Sequence, residues 1–170
     1  MPGVAYVPAV PVYYPFLTVR DVVEYRCARE SIGRPSVRAV QSAISSVRLD
    51  QRSNTQVAAL SHEETSRLAI AEALSFDPEV LLVDTPPAAD NAPLSDCALD
   101  ALREHASSGG AVAIAARHAH SIVRAASRVI VLEEGKILRT YCADIEGEVR
   151  LDPVFPVRTN GARFVAERMH

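Results

Sequence analysis

The residues of this 170-residue chain whose types could do chemistry are Ser61-His62 with Asp84, the pair His118 and His120, the step Asp84-Thr85, and the lone lysine Lys136. Serine, histidine and aspartate are the parts of an acyl-transfer triad. Ser61, however, lacks the flanking glycines of a G-x-S-x-G turn, and Glu64 three residues later makes it the start of a helix capping box instead. His118 and His120 would share one side of a strand and could hold a metal, but no third ligand stands near them, so no metal site is expected. Cys27, Cys97 and Cys142 are odd in number and widely spaced, which suggests neither a disulfide framework nor a zinc cluster and favours a reducing compartment. Lys136 lies in Gly135-Lys136-Ile137 with no Ser or Thr after it. A phosphate-cradling loop, which needs glycines for close backbone approach and a lysine to balance charge, cannot be written from these residues.

Composition narrows the classes further. With 18 basic and 21 acidic residues the net charge is 18 − 21 = −3, and 48% hydrophobic residues are enough for one core. Negative charge without a basic stripe and interleaved aromatics speaks against nucleic acid. No apolar run approaches the roughly 18 residues of a membrane-spanning helix, so no direct membrane insertion is expected; the longest, Ala111 to Ala116, suits a buried strand. The first sixteen residues have no basic start and are broken by Pro8, Pro11 and Pro15, unlike a signal peptide, which points to the cytoplasm.

Period and punctuation then predict the elements that carry these residues. Val4 to Val7 is a short β-prone run, followed by a proline-rich loop over 8–16. Thr18 with Asp21 opens a helix over 18–29, whose apolar face holds Val19, Val22, Val23 and the stretch Tyr25 to Cys27. Ser36 opens a second over 36–48, with Val37, Val40, Ala43, Ile44 and Val47 at three- and four-residue steps. The third, over 61–76, presents Leu68, Ile70, Ala71 and Leu74 and stops at Asp77-Pro78. Val80 to Val83 ends at Asp84 in the pattern of a strand buried on both faces, which predicts a buried Leu82. Helix 94–106, strand 111–116, helix 119–126, strand 128–132, a turn at Glu134-Gly135 and strand 137–141 complete an α/β alternation. The sheet should be parallel at its centre, with an antiparallel hairpin at its end. Residues 144–170 carry little pattern beyond Val154-Phe155-Pro156-Val157 and read as a tail behind a domain of residues 1–143.

From Tyr6 to about Arg139 these words, in this order, resemble the latter two thirds of the ATPase domain of an ATP-binding cassette (ABC) transporter. Tyr6-Val7-Pro8 and Tyr14-Pro15-Phe16-Leu17-Thr18-Val19-Arg20 resemble its strand, Q-loop and the start of a helical subdomain, here about 18–76. Leu60-Ser61 and the helix Arg67 to Leu74 resemble the signature motif. Asp77-Pro78-Glu79-Val80-Leu81-Leu82-Val83-Asp84 resembles the approach to Walker B. Ser127 to Leu132 with Glu134-Gly135-Lys136-Ile137 resembles the closing strands. The resemblance implies a partial P-loop NTPase core with a small helical subdomain and a C-terminal β-hairpin. It also implies ATP and magnesium as family cofactors, and a membrane permease or another ABC ATPase subunit as partner.

Several catalytic stations of the family are altered. No Walker A loop is present in these residues, and residues 1–3 leave no room for one before Tyr6. Ala9 stands at the Q-loop glutamine and offers no ligand to magnesium or water. The signature reads Leu60-Ser61-His62-Glu63-Glu64, so its paired glycines are His62 and Glu63, and a carboxylate there repels phosphate. Asp84 is the vestigial Walker B acid, but Thr85 stands where a catalytic Glu would polarise water. The switch position falls on Arg117 by count, or on His118 with a one-residue slip.

These departures predict no catalytic residue and no bound cofactor, and a noncatalytic structural or regulatory partner in a transport assembly, docking through Tyr13, Tyr14, Phe16 and Leu17. The helices over 18–29 and 36–48 either join that surface or simply cover the sheet. Two other readings stay open: the C-terminal piece of an active ATPase whose Walker A lies on an upstream or separate chain, and a soluble protein-interaction module.

Overall fold

The computed structural model describes residues 3–30, 36–85, 94–116, 123, 126–142 and 163–167. The elements are β1 (Val4–Val7), α1 (Val19–Glu30), α2 (Val37–Ser46), α3 (His62–Leu74), β2 (Val80–Asp84), α4 (Asp96–Ser107), β3 (Ala111–Ala116), β4 (Arg128–Glu133), β5 (Lys136–Cys142) and β6 (Arg163–Glu167). They build one six-stranded sheet in the order β1-β2-β3-β6-β4-β5, with β1, β2 and β3 mutually parallel. The helix expected over 119–126, with Arg117, His118 and His120, lies outside the described residues except for Val123 and Ala126.

Local chemistry explains where the helices begin. Thr18 Oγ1 accepts from the Asp21 amide at 3.1 Å, and the Asp21 carboxylate accepts from the Thr18 amide at 2.8 Å and from its hydroxyl at 2.6 Å. Ser61 and Glu64 close the second expected box. Ser36 sits at the N-cap of α2 without a side-chain bond. At the other end of the fold, Glu134 (φ 48°) and Gly135 (φ 76°) are both left-handed, the backbone a two-residue hairpin turn requires, and β4 pairs antiparallel with β5 across it.

The core lies on one side of the sheet. Ala5, Val7, Leu81, Val83, Val112, Ile114, Val129 and Val131 are buried, and α3 packs against β1 while α4 packs against β3. Leu82 corrects the expectation of a strand buried on both faces: it is 39% exposed, beside Tyr6 at 57% and Val4 at 64%. In β2 the burial alternates with the two-residue period of a strand, because the described helices cover only the face that holds Leu81 and Val83. Tyr25 and Val37, counted above with apolar helix faces, also point outward.

A larger difference comes from the tail. Residues 163–167 form β6, which enters the sheet between β3 and β4 and pairs antiparallel with both. A strand added from the far end of the chain is set by nonlocal pairing, which the local pattern of residues 144–170 does not announce.

Candidate functional site

The loop between β1 and α1 is fixed by its backbone. Val57 N–H donates to Leu17 O at 2.8 Å and Ala58 N–H to Pro15 O at 3.2 Å, while Val19 and Arg20 donate to Thr55 and Ser53 at 3.1 and 3.0 Å. These four bonds, two at the loop and two at the first residues of α1, tie this stretch to the segment ahead of α3. Leu17 is thereby half-buried against the core, while Tyr14 and Phe16 stay in solvent at 70% and 65% exposure with their rings stacked 5.6 Å apart. Tyr13 turns the other way. Its hydroxyl donates to Glu72 Oε2 at 2.9 Å, and burial, reinforced by that carboxylate, pushes its pKa well above the usual phenol value. The four expected docking residues therefore divide into two anchors and two exposed aromatics.

Behind the loop lies a cleft of about 770 Å³, lined by Tyr6, Pro11, Tyr13, Tyr25, Arg26 and Glu72 among others. The Arg26 guanidinium sits 4.8 Å from the centre of the Phe76 ring. The sequence reading missed this cleft, since it arises from the meeting of loop, α1 and α3. The polar Glu72 within the otherwise apolar run Ala69 to Leu74 was the available signal.

The residues expected at the nucleotide stations take part in local structure. Ser61 Oγ accepts from the Glu64 amide at 3.2 Å, and the Glu64 carboxylate accepts from the Ser61 amide at 2.9 Å and pairs with Arg52 at 3.0 Å. The Ser61 amide bond, ahead of the Ser61 hydroxyl and Arg52, holds the Glu64 carboxyl below the usual range. Glu63 pairs with Arg67 at 3.0 Å, His62 is exposed, and Leu60 is half-buried just before the cap. A helix N-terminus attracts anions, but here two side-chain carboxylates already stand in its first turn.

Asp84 is half-buried at the end of β2, paired with Ala115 of β3, and its side chain makes no hydrogen bond or ion pair among the described residues. Beside it, the Thr85 amide and hydroxyl both donate to Ala115 O, each at 3.0 Å, so the side chain closes the strand end. Ala9 lies in the bend after β1. Ser61, His62 and Asp84 share no hydrogen bond, and the described residues contain no cluster of three His, Cys, Asp or Glu able to hold a metal.

Comparison with known proteins decides the family. A putative ABC transporter ATP-binding protein of Halobacterium salinarum is 33% identical over 122 residues, 69% of this chain and 53% of that protein. A phosphate import ATP-binding protein of Natronomonas pharaonis is 34% identical over 134 residues, 71% of this chain and 46% of its own length. The chain belongs to the ABC ATP-binding family. It spans about half the length of these relatives. No family model matches. Among solved structures, the ATP-binding subunit of an ABC transporter superposes with a TM-score of 0.68 at 19% identity, covering 82% of this chain and 58% of the other. A dimeric ATP-binding cassette in a post-hydrolysis state with ADP and Pi gives 0.70 at 23%, covering 82% and 62%. Fold and family thus agree with the resemblance seen in the sequence, and no helix among the described residues is long and apolar enough to cross a membrane.

Proposed function

We propose that this ABC-type domain works by contact, as a noncatalytic structural or regulatory partner of a membrane transport assembly, held at the cytoplasmic face of the membrane by a permease. The observation that carries the reading is the stacked pair Tyr14 and Phe16, exposed on a loop whose Pro15 and Leu17 carbonyls are pinned by backbone bonds and beside an apolar cleft. Rigid, exposed aromatics lose little conformational freedom on binding and supply most of the anchoring energy in protein interfaces. The relatives support a transport setting, being named for phosphate import in Natronomonas pharaonis and for import of aliphatic sulfonates in Escherichia coli. Absence of turnover is supported by Thr85 in the place of a catalytic Glu, by Ala9, and by the carboxylates that fill the first turn of α3.

Affinity isolation of the full chain from solubilised membranes, with the bound proteins identified, tests the docking role. The double variant Tyr14→Ala/Phe16→Ala should keep the fold and lose the permease. If it retains every partner that the unaltered chain captures, or if the unaltered chain captures no membrane protein, the docking role is wrong.

A further inference from the structure

Three of the described helices end at one place. α3 packs against both α2 and α4, and the last turns of all three line a pocket of about 270 Å³, where Ser46 closes α2, Leu74 closes α3 and Ser108 caps α4. A helix C-terminus carries partial negative charge, Asp77 and Glu104 add two exposed carboxylates, and no Lys or Arg stands among the described lining residues. The lining favours a cation.

The hydroxyls narrow the kind of cation. Ser46 Oγ donates to Ala43 O at 2.9 Å, Ser75 Oγ to Glu72 O at 2.7 Å and Ser108 Oγ to His105 O at 2.9 Å. With its proton committed to its own helix, each oxygen has only lone pairs left to offer. His105 adds an independent sign. Its side chain is 6% exposed in the pocket wall, Nδ1 faces Asp77 Oδ1 at 3.7 Å, and Nε2 is buried with no hydrogen-bond partner among the described residues. The tautomer with its N–H toward the carboxylate leaves Nε2 a bare acceptor. A metal ion would need ligands gathered around it, and the described residues hold no group of three His, Cys, Asp or Glu able to do so. An ammonium brings three N–H donors of its own, which hydroxyl and carboxylate oxygens can accept singly. Ala39, Ala43, Leu74 and Ala101 supply an apolar wall for the stem that carries it.

We propose that this pocket binds a primary alkylammonium group, carried by a free aliphatic amine or by a lysine side chain of a protein partner. The head lies against the serine oxygens with Asp77 and Glu104, and the stem lies on the alanines. Lys136, the only lysine of this chain, begins β5 and is not among the lining residues, so the group belongs to another molecule. The site is separate from the aromatic docking pair, so the Tyr14→Ala/Phe16→Ala variant should bind the amine as the unaltered chain does.

Amide resonances of the full chain, followed by NMR during titration, test the site. Pentylammonium and Nα-acetyl-lysine-methylamide should shift residues 42–46, 74–77 and 104–108, whereas 1-pentanol and Nα-acetyl-norleucine-methylamide should not. Tighter binding of the lysine derivative assigns the group to a protein partner, and tighter binding of the free amine assigns it to a small molecule; either order upholds the site. Asp77→Asn/Glu104→Gln, in which Asn tolerates the left-handed backbone of residue 77 (φ 51°), should weaken both ammonium probes at least about threefold. Glu24→Gln/Glu133→Gln removes the same charge away from the pocket and should bind as the unaltered chain does. The comparison of charged with neutral probes uses the unaltered chain, so a misfolded variant does not decide the matter. Equal shifts with the neutral probes, no shift with either ammonium, unchanged binding by Asp77→Asn/Glu104→Gln, or the same loss in Glu24→Gln/Glu133→Gln would each overturn the proposal.

Discussion

Ser61 Oγ accepts the Glu64 amide while the Glu64 carboxylate accepts the Ser61 amide, so both side chains complete the start of α3. Ser61→Ala should lower stability by about 1 kcal/mol, read as a shifted urea midpoint at unchanged slope. The sign of the acid response follows from the Glu64 carboxyl, whose folded pKa is depressed first by the Ser61 amide. A group depressed on folding stabilises above its unfolded value, about 4.3 for Glu, and that contribution disappears as pH falls through the folded value. Glu64→Gln should therefore cost stability near neutrality, and the gap to the unaltered chain should close on acidification. A gap that is constant with pH would show that the carboxylate charge adds nothing. Tyr14 and Phe16 behave differently from these capping residues: their rings stack on each other in solvent, and the proposed docking role rests on that exposure.

Elements differ in how much of them a sequence can announce. Helix α3 was legible because both ends carry local signals, the Ser61–Glu64 box and the Asp77-Pro78 stop, and the hairpin β4–β5 because Glu134-Gly135 marks a left-handed turn. Leu82 was not, since an unbroken apolar run does not distinguish a strand covered on two faces from one covered on one. Nor was β6, whose short run Phe164-Val165-Ala166 pairs with strands about fifty and thirty-five residues away. At the site, the loop was legible as a proline-rich stretch after β1, but Tyr13 and Tyr14 are indistinguishable until Glu72 on α3 captures one of them. The burial difference within β2 gives a measurement: Leu81→Ala should cost about 2–5 kcal/mol, and Leu82→Ala about 1 kcal/mol or less. Equal losses in urea titrations would mean that both faces of β2 are covered.

At the scale of the molecule, the described helices gather on one face of the sheet, the aromatic pair sits on the loop after β1, and the residues expected at the nucleotide stations make capping bonds at Ser61 and Glu64 and a strand-end hydroxyl bond at Thr85. On the proposed reading the chain serves association and not turnover, because phosphoryl transfer depends on positioned charge and a polarised water more than on any single residue. Thr85→Glu should on that ground leave the chain inactive, a result checked by comparing its phosphate release with that of the unaltered protein. The most direct test of action by contact is phosphate release from Mg-ATP by the purified full chain beside its Asp84→Asn variant. The account predicts that neither exceeds buffer alone; release by the unaltered chain that Asp84→Asn abolishes would contradict it.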